Sequence, residues 1–285
     1  MYTLITSIFD SINALNENIF FSDPMLTNGL ADGIPALYQY ATAAQQVVLP
    51  IGYAILSLFF LLALLNCAQK VESAGGGVTM GVQMIAGTLV KLGLCKLLID
   101  SVAVLMTAIF DGINYISVTI QQNVAITAPP IFSLDLDVGF FERLAMEFNI
   151  IGGLPKLLLA LIVLLLMAVV WLISRVMIYL RFIEAYLYLI IAPVPLATLP
   201  GGEWGQIGKN FLKSFAAVAI QGTLLFLTLT FYPVIAAALV SNMSAGSLFS
   251  DEVLTALLQE AFYGVLLIFA LAGTTRLARS ICNAM

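Results

Sequence analysis

Residues 157–180 read LLLALIVLLLMAVVWLISRVMIYL and contain a single charged side chain, Arg175. A helix needs about 20 predominantly apolar residues to cross a hydrocarbon core near 30 Å thick. This stretch meets both conditions and predicts a membrane-spanning helix. The composition agrees, because 61% of the 285 residues are hydrophobic and 9% are charged, whereas typical soluble domains are roughly 25% charged. The sequence therefore predicts an integral membrane protein.

Four further runs are apolar and long enough to span a bilayer. They cover about residues 47–66, 82–110, 215–240 and 253–271, and a glycine link at residues 75–77 joins the first two. Together with residues 157–180, they predict an all-α polytopic protein with five spans.

A sixth apolar run, residues 182–200, contains Pro193 and Pro195 and ends at Pro200. Proline removes a backbone donor and disrupts a helix interior, so this run predicts a re-entrant hairpin. Backbone that is not helical at membrane depth must be covered by protein or must line a water-filled cavity. We therefore expect the hairpin not to face lipid.

The distribution of Lys and Arg predicts the orientation, because basic residues favour the cytoplasmic side. With five spans and a hairpin, the N-terminus and the acidic loop lie outside the cell membrane, and the C-terminus is cytoplasmic. Most basic side chains then lie inside: Lys70, Arg175, Arg181, Lys209, Lys213, Arg276 and Arg279. If residues 182–200 crossed instead, the last four of these would move outside, against the rule.

The N-terminal segment contains an amphipathic helix, because apolar residues recur there at steps of three and four. These residues are Leu4, Ile5, Ile8, Phe9, Ile12 and Leu15. The helix is too short and too polar to span, so we expect it to lie in the interface or to pack against a partner. The chain then divides into an extracytoplasmic or interfacial segment (1–46), the first two spans (47–118), an acidic extracytoplasmic loop (119–153) and a transmembrane core (154–285).

The sequence shows no catalytic centre. It has no histidine, which is the usual general base and the commonest metal ligand. Its three cysteines, at positions 67, 95 and 282, are far apart, and no phosphate-binding loop of the GxxxxGK[ST] type occurs. Asp100 and Asp111 are a weak candidate for a pair of aspartates. We predict a protein that is not an enzyme and has no cofactor or metal site.

Charged residues inside the second apolar run are the first candidates for function. They are Lys91, Lys96 and Asp100, and the last two share a helix face because they are four residues apart. A charge at bilayer depth costs at least about 2.5–3.5 kcal/mol. The three side chains therefore either line a polar conduit or lie near an interface, where the lysines extend into the headgroups.

Further candidates follow the third span. Arg175, Arg181 and Glu184 form one set, in which Arg181 and Glu184 are either an intrahelical pair or separate, with Glu184 anchoring the proline hairpin. Trp204 lies in a glycine-rich connector, where a membrane-interface anchor is the expected role.

Residues 181–200, RFIEAYLYLIIAPVPLATLP, are followed by GGEWGQIGKNFLKSF at 201–215. This segment resembles the TrbL-like family of polytopic membrane proteins in conjugative type IV secretion systems, in particular the versions from conjugative elements of Gram-positive bacteria. The family pattern is a helix with an acidic residue, then Ala-Pro-x-Pro, a short loop with a Trp and a long span. The matching residues here, in order, are Glu184, Ala192, Pro193, Pro195 and Trp204. The resemblance covers about residues 155–280.

The resemblance implies a channel or platform subunit at the base of a secretion machine. Such a subunit would form a homo-oligomeric ring, for which five copies is one candidate number, with the hairpin and the polar positions of the second span near its interior. Its partners would be secretion ATPases, a bitopic scaffold protein, membrane lipids and the translocating DNA–protein substrate. One departure from the family is size, because we expect no large extracytoplasmic or C-terminal domain here. A stand-alone small-solute transporter or ion channel, and an immunity or phage-exclusion protein, are the alternatives from other classes.

Overall fold

The computed structural model describes residues 2–21, 24–73, 78–123, 150–240 and 251–284, and within these ranges the chain is helical with no strand. The helices are α1 (Tyr2–Phe21), α2 (Leu30–Gly33), α3 (Pro35–Ser73), α4 (Val78–Asp100), α5 (Val102–Asn123), α6 (Ile150–Ile191), α7 (Pro193–Leu196), α8 (Gly205–Val240) and α9 (Asp251–Ile281). Among the described residues, α3, α4, α5, α6, α8 and α9 are long and apolar enough to cross a membrane. The predicted all-α, polytopic class is confirmed.

The chain forms two compact units. The first comprises Met1–Leu26, Ser117–Tyr179 and Thr223–Thr274, and the second comprises Thr27–Ile116, Leu180–Gly222 and Thr275–Met285. In the first unit, the buried core contains Phe9 and Ile12 of α1 together with apolar residues of α6, α8 and α9. The predicted N-terminal helix is therefore present, and it buries Phe9 and Ile12 within its own chain, whereas Leu4 is exposed.

In the second unit, α3 runs antiparallel to α4 and then to α5. The contacts follow one another along the helices in a single order: Val71 with Gly81, Cys67 with Thr88, Tyr53 with Asp100, and Tyr38 with Thr107. Because the order continues past the end of α4, the chain does not reverse direction between α4 and α5.

The break between α4 and α5 consists of one residue, Ser101. Backbone hydrogen bonds continue on both sides of it, from Ser101 N to Leu97 O (3.0 Å) and from Leu105 N to Ser101 O (2.9 Å). The Ser101 hydroxyl also donates to Leu97 O (2.6 Å), the type of side-chain bond that bends helices. The run predicted as one span over 82–110 is thus interrupted, but α4 and α5 follow one path and are not two crossings joined by a turn.

The proline break is shorter than predicted. The span expected to end at residue 180 continues as helix to Ile191, and the irregular part is confined to residues 192–204 around α7. Pro193, Pro195 and Leu196 are buried. A β-carbon on Gly52 of α3 would come within 2.9 Å of Pro193 O. The expected protein cover is therefore confirmed, and α3 of the same chain supplies part of it.

The other predicted runs lie inside longer helices: 47–66 in α3, 215–240 in α8 and 253–271 in α9. The glycine link at 75–77 and the acidic residues at 135, 137, 142 and 147 lie outside the described residues.

Candidate functional site

The three charged positions of α4 lie on two different faces of the helix. At about 100° per residue, Lys96 and Asp100 are within about 40° of each other, whereas Lys91 is about 140° from Lys96. All three side chains are exposed in the single chain. Asp100 also accepts a hydrogen bond from the Tyr53 hydroxyl of α3. Lys96 and Asp100 therefore form one polar face, and Lys91 belongs to a different surface.

The helices that carry this polar face are the least buried of the membrane-length helices. In α3 and α4, 11% of the most apolar 18-residue stretch is buried, compared with 56% in α8. Their surfaces must therefore be covered by lipid or by another protein.

Lys91 lines a cavity of about 830 Å³ in the second unit. The walls are formed by α3, by α4 and by the connector that follows the proline break. Lys70 lines the same cavity, as does Trp204. The Trp204 ring lies 6.4 Å from the Phe59 ring, centroid to centroid, and 61% of Trp204 is exposed. The cavity thus combines two ammonium groups with an aromatic wall.

Arg181 is the largest of the fully buried side chains in the described residues, with 1% of its surface exposed. Its guanidinium carbon lies 4.8 Å from the ring centroids of both Phe110 and Phe182. None of its three side-chain nitrogens has a hydrogen-bond partner among the described residues. Cation–π contacts are worth about 2 kcal/mol or more when desolvated, so the two rings are the main favourable surroundings of this charge.

The hydrogen-bonded pair of Arg181 and Glu184 that their spacing predicts is absent, because the Arg181 nitrogens have no such partner. The half-buried Glu184 instead lines a small cleft of about 90 Å³ together with Gln221 and Arg279. In that cleft the Gln221 amide donates to Thr275 Oγ1 (3.0 Å). Glu184 thus belongs to a polar cleft formed by α6, α8 and α9.

Arg175 belongs to the first unit, whereas Arg181 belongs to the second. Its guanidinium carbon is 5.6 Å from the centroid of the Trp171 ring, one helical turn earlier. The side chain is half-buried. This local contact is typical of a cationic side chain that covers a neighbouring aromatic ring.

The proline segment satisfies its own backbone. Ala197 N donates to Pro193 O, and the Thr198 hydroxyl donates to Pro195 O (2.8 Å). The same hydroxyl oxygen accepts from Gly208 N at the start of α8 (3.2 Å). Pro193 and Pro195 therefore build a packed turn, and neither contributes an exposed polar group.

Sequence reasoning did not identify the anchoring of residues 27–34. Asp111 Oδ1 accepts from Leu30 N at the start of α2 (2.7 Å), and Asn114 Nδ2 donates to Thr27 O (2.7 Å). The Tyr186 hydroxyl donates to Leu30 O (2.9 Å) and accepts from Ile34 N (3.0 Å). Asp111 accepts from the start of α2, whereas Asp100 accepts from the Tyr53 hydroxyl. The two carboxylates therefore make separate contacts and do not form a catalytic pair.

A second acid that the sequence did not single out is Glu260 of α9. It is 2% exposed, and its Oε1 accepts from the Tyr232 hydroxyl (3.1 Å) in the first unit. An ionisable residue within a membrane-length helix is rare and needs a partner. The sequence feature that could have identified Glu260 as a candidate is its position inside the apolar run 253–271.

Across the ranges that the structure describes, no three His, Cys, Asp or Glu side chains come together to hold a metal ion. Comparison of the chain with protein-family models, with curated proteins and with solved structures finds no match.

Proposed function

We propose that this chain is a homo-oligomeric channel or platform subunit of a conjugation-type secretion apparatus in the cell membrane. The observation that carries self-association is the exposed polar face of Lys96 and Asp100 on α4, a membrane-length helix with little burial in the single chain. In an oligomer this face lies against a neighbouring copy or a water-filled path.

The energetic argument rests on the environment of that face. An ionised side chain near the bilayer centre costs at least about 2.5–3.5 kcal/mol, and such residues usually face protein or water. By contrast, the exposed residues Leu161, Ile162 and Leu165 of α6 are apolar and suit contact with lipid. The two helices therefore offer different surfaces, one for assembly and one for the bilayer.

The secretion role is supported by the TrbL-like resemblance of residues 181–215. On that proposal the subunit is not an enzyme, and energy comes from partner ATPases, with a bitopic scaffold protein and the DNA–protein substrate as further partners. The distribution of basic residues supports an outside N-terminus and a cytoplasmic C-terminus. The conduit is assigned to α4 and not to the proline turn, which is buried and is partly covered by α3 of its own chain.

Disulfide cross-linking tests the assembly. The native cysteines at 67, 95 and 282 are replaced by serine, and Lys96→Cys or Asp100→Cys is introduced. Oxidation of membranes should give linked species with either variant. Leu165→Cys on α6, 68% exposed, is the matched control and should remain monomeric. Cross-linking from α6 that equals or exceeds that from α4 would contradict the proposed face.

The biological role is tested by deleting the gene from its host element and measuring transfer of DNA to a recipient. Transfer should fall to background and return with the wild-type chain. If transfer is unaffected and purified protein in vesicles moves ions or small solutes without partners, the stand-alone transporter or channel is the better function.

A further inference from the structure

The cavity between α3, α4 and the connector is cationic at its polar end. Its lining includes Lys70 and Lys91, and no carboxylate occurs among the described residues that line it. The amide side chains of Asn66 and Gln83 add neutral hydrogen-bond donors to the polar part. Two ammonium groups and several hydrogen-bond donors without an acid are suited to an anion with several oxygen acceptors, such as a phosphate ester.

The two lysines lie at different levels along the helices. Cys67 contacts Thr88 across the helix pair (3.2 Å). Lys70 lies three residues beyond Cys67, towards the end of α3, and Lys91 lies three residues from Thr88 in the opposite direction. At 1.5 Å per residue, their backbones are about 9 Å apart along the pair. Because lysine side chains are long and flexible, ammonium groups on backbones at this separation can approach one phosphate from opposite sides.

The remaining walls are apolar. Phe59, Phe60, Leu62 and Leu92 line the same cavity, and Leu62 is 43% exposed. A soluble phosphate would make no apolar contact with these surfaces, whereas an acyl chain can lie along them. Trp204 lies against Phe59 at this apolar end of the cavity.

We propose that this cavity binds an anionic phospholipid, with its headgroup phosphate between Lys70 and Lys91 and its acyl chains along α3. Basic pockets between membrane helices are suited to such headgroups. The proposal uses the opposite face of α4 from Lys96 and Asp100. It is independent of the secretion role, and a negative cross-linking result leaves it standing.

Trp204 provides the measurement, because the sequence has two tryptophans and Trp171→Phe leaves Trp204 alone. The full chain is reconstituted in vesicles in which phosphatidylcholine is progressively replaced by brominated phosphatidylglycerol or brominated phosphatidylcholine. Brominated phosphatidylglycerol should quench Trp204 more strongly. Each lysine near a headgroup adds about 1 kcal/mol, equivalent to about a fivefold preference, so Lys70→Gln with Lys91→Gln should abolish the selectivity.

The matched control is Lys209→Gln with Lys213→Gln, two exposed lysines of α8 outside the cavity, which should retain the selectivity. Lys70→Arg with Lys91→Arg should also retain it. Circular dichroism and size-exclusion chromatography check folding. If the double Gln variant fails these checks, the single variants are used, and each should reduce the preference about fivefold.

Three results would overturn the proposal. The first is undiminished selectivity in the folded Lys70 and Lys91 Gln variants. The second is an equal loss in the Lys209 and Lys213 control. The third is relief of the quenching by inorganic phosphate or by single-stranded DNA, which would assign the cavity to a soluble anion or to nucleic acid.

Discussion

A β-carbon on Gly222 would overlap the guanidinium of Arg181, because Nη1 and Cζ of Arg181 lie directly against this glycine of α8. It would also come within 2.9 Å of Arg181 Cδ. The guanidinium cannot easily move aside, since Phe110 and Phe182 each lie 4.8 Å from its carbon and the side chain is buried. The position of the Arg181 guanidinium thus depends on glycine at position 222, which has no side chain and lies 41 residues later in the sequence.

Gly222→Ala should destabilise the protein. The added methyl group forces the whole guanidinium out of its place between the rings, and overpacking of this kind costs typically about 1–3 kcal/mol. The measurement is the thermal unfolding midpoint of the purified protein in detergent, which should fall.

Gly112→Ala in α5 is the matched control. A β-carbon there meets no atom within 4 Å, so the substitution should raise the midpoint slightly, by the equivalent of about 0.4–1 kcal/mol, through the lower backbone entropy of the unfolded chain. A Gly222→Ala protein as stable as the Gly112→Ala protein would show that Arg181 can rearrange freely.

Arg181→Met should leave the protein at least as stable as the wild type. The substitution removes a buried charge that has no hydrogen-bond partner among the described residues, and apolar replacements of buried charges are often neutral or stabilising. Arg181→Ala should be destabilising, because it leaves a cavity between Phe110 and Phe182. The measurement is the thermal unfolding midpoint of each variant. A large fall of the midpoint in Arg181→Met would indicate that the cation has a stabilising partner beyond the two rings.

Arg181→Met should also rescue Gly222→Ala. A flexible thioether can move away from the new methyl group, so the double variant should be more stable than Gly222→Ala alone. If the two effects were simply additive, the contact between the two positions would not be the cause.

The helices follow from the sequence because apolar length alone predicts a membrane span. Residues 157–180 and 215–240 are helical as expected. The break at Ser101 could not be predicted, since serine is tolerated in helices and its bend depends on a bond to Leu97 O. The helical extension to Ile191 was also missed. It arises because residues 181–191 contain no proline, whereas the prediction assigned the whole apolar run 182–200 to the hairpin.

The candidate positions illustrate a different limit. Residue type and spacing identified Lys96 and Asp100 as one face, but they also suggested a pair of Arg181 with Glu184 that does not form as a hydrogen bond. The true neighbours of Arg181 include Phe110 and Gly222, which are far away in sequence and carry no charge. Only the packing of α5, α6 and α8 brings them together, and no local pattern encodes it.

Tyr186→Phe should loosen the segment 27–34. The Tyr186 hydroxyl serves Leu30 O and Ile34 N, and a buried backbone group without a partner costs about 1–3 kcal/mol. We expect a lower unfolding midpoint and faster limited proteolysis within this segment.

The control for the lost hydroxyl is Tyr40→Phe. Tyr40 is 68% exposed on α3, so loss of its hydroxyl leaves no buried backbone group without a partner and neither readout should change. Unaltered proteolysis in Tyr186→Phe would mean that Asp111 and Asn114 hold the segment without the tyrosine.

The residues near the two ends of the chain should lie on opposite sides of the membrane. Among the residues that the structure describes, six helices are long enough to cross. Because α4 and α5 follow one path through Ser101, we expect these six helices to make five crossings. In a protein with Cys67→Ser and Cys95→Ser, a membrane-impermeant maleimide should label Ser11→Cys on intact cells in a Cys282→Ser background. Native Cys282 should be labelled only after permeabilisation. Glu72→Cys, at the exposed end of α3, is introduced in the Cys282→Ser background. It should also be labelled only after permeabilisation. Labelling of both Ser11→Cys and Cys282 on intact cells would instead mean an even number of crossings, with α4 and α5 entering the bilayer separately.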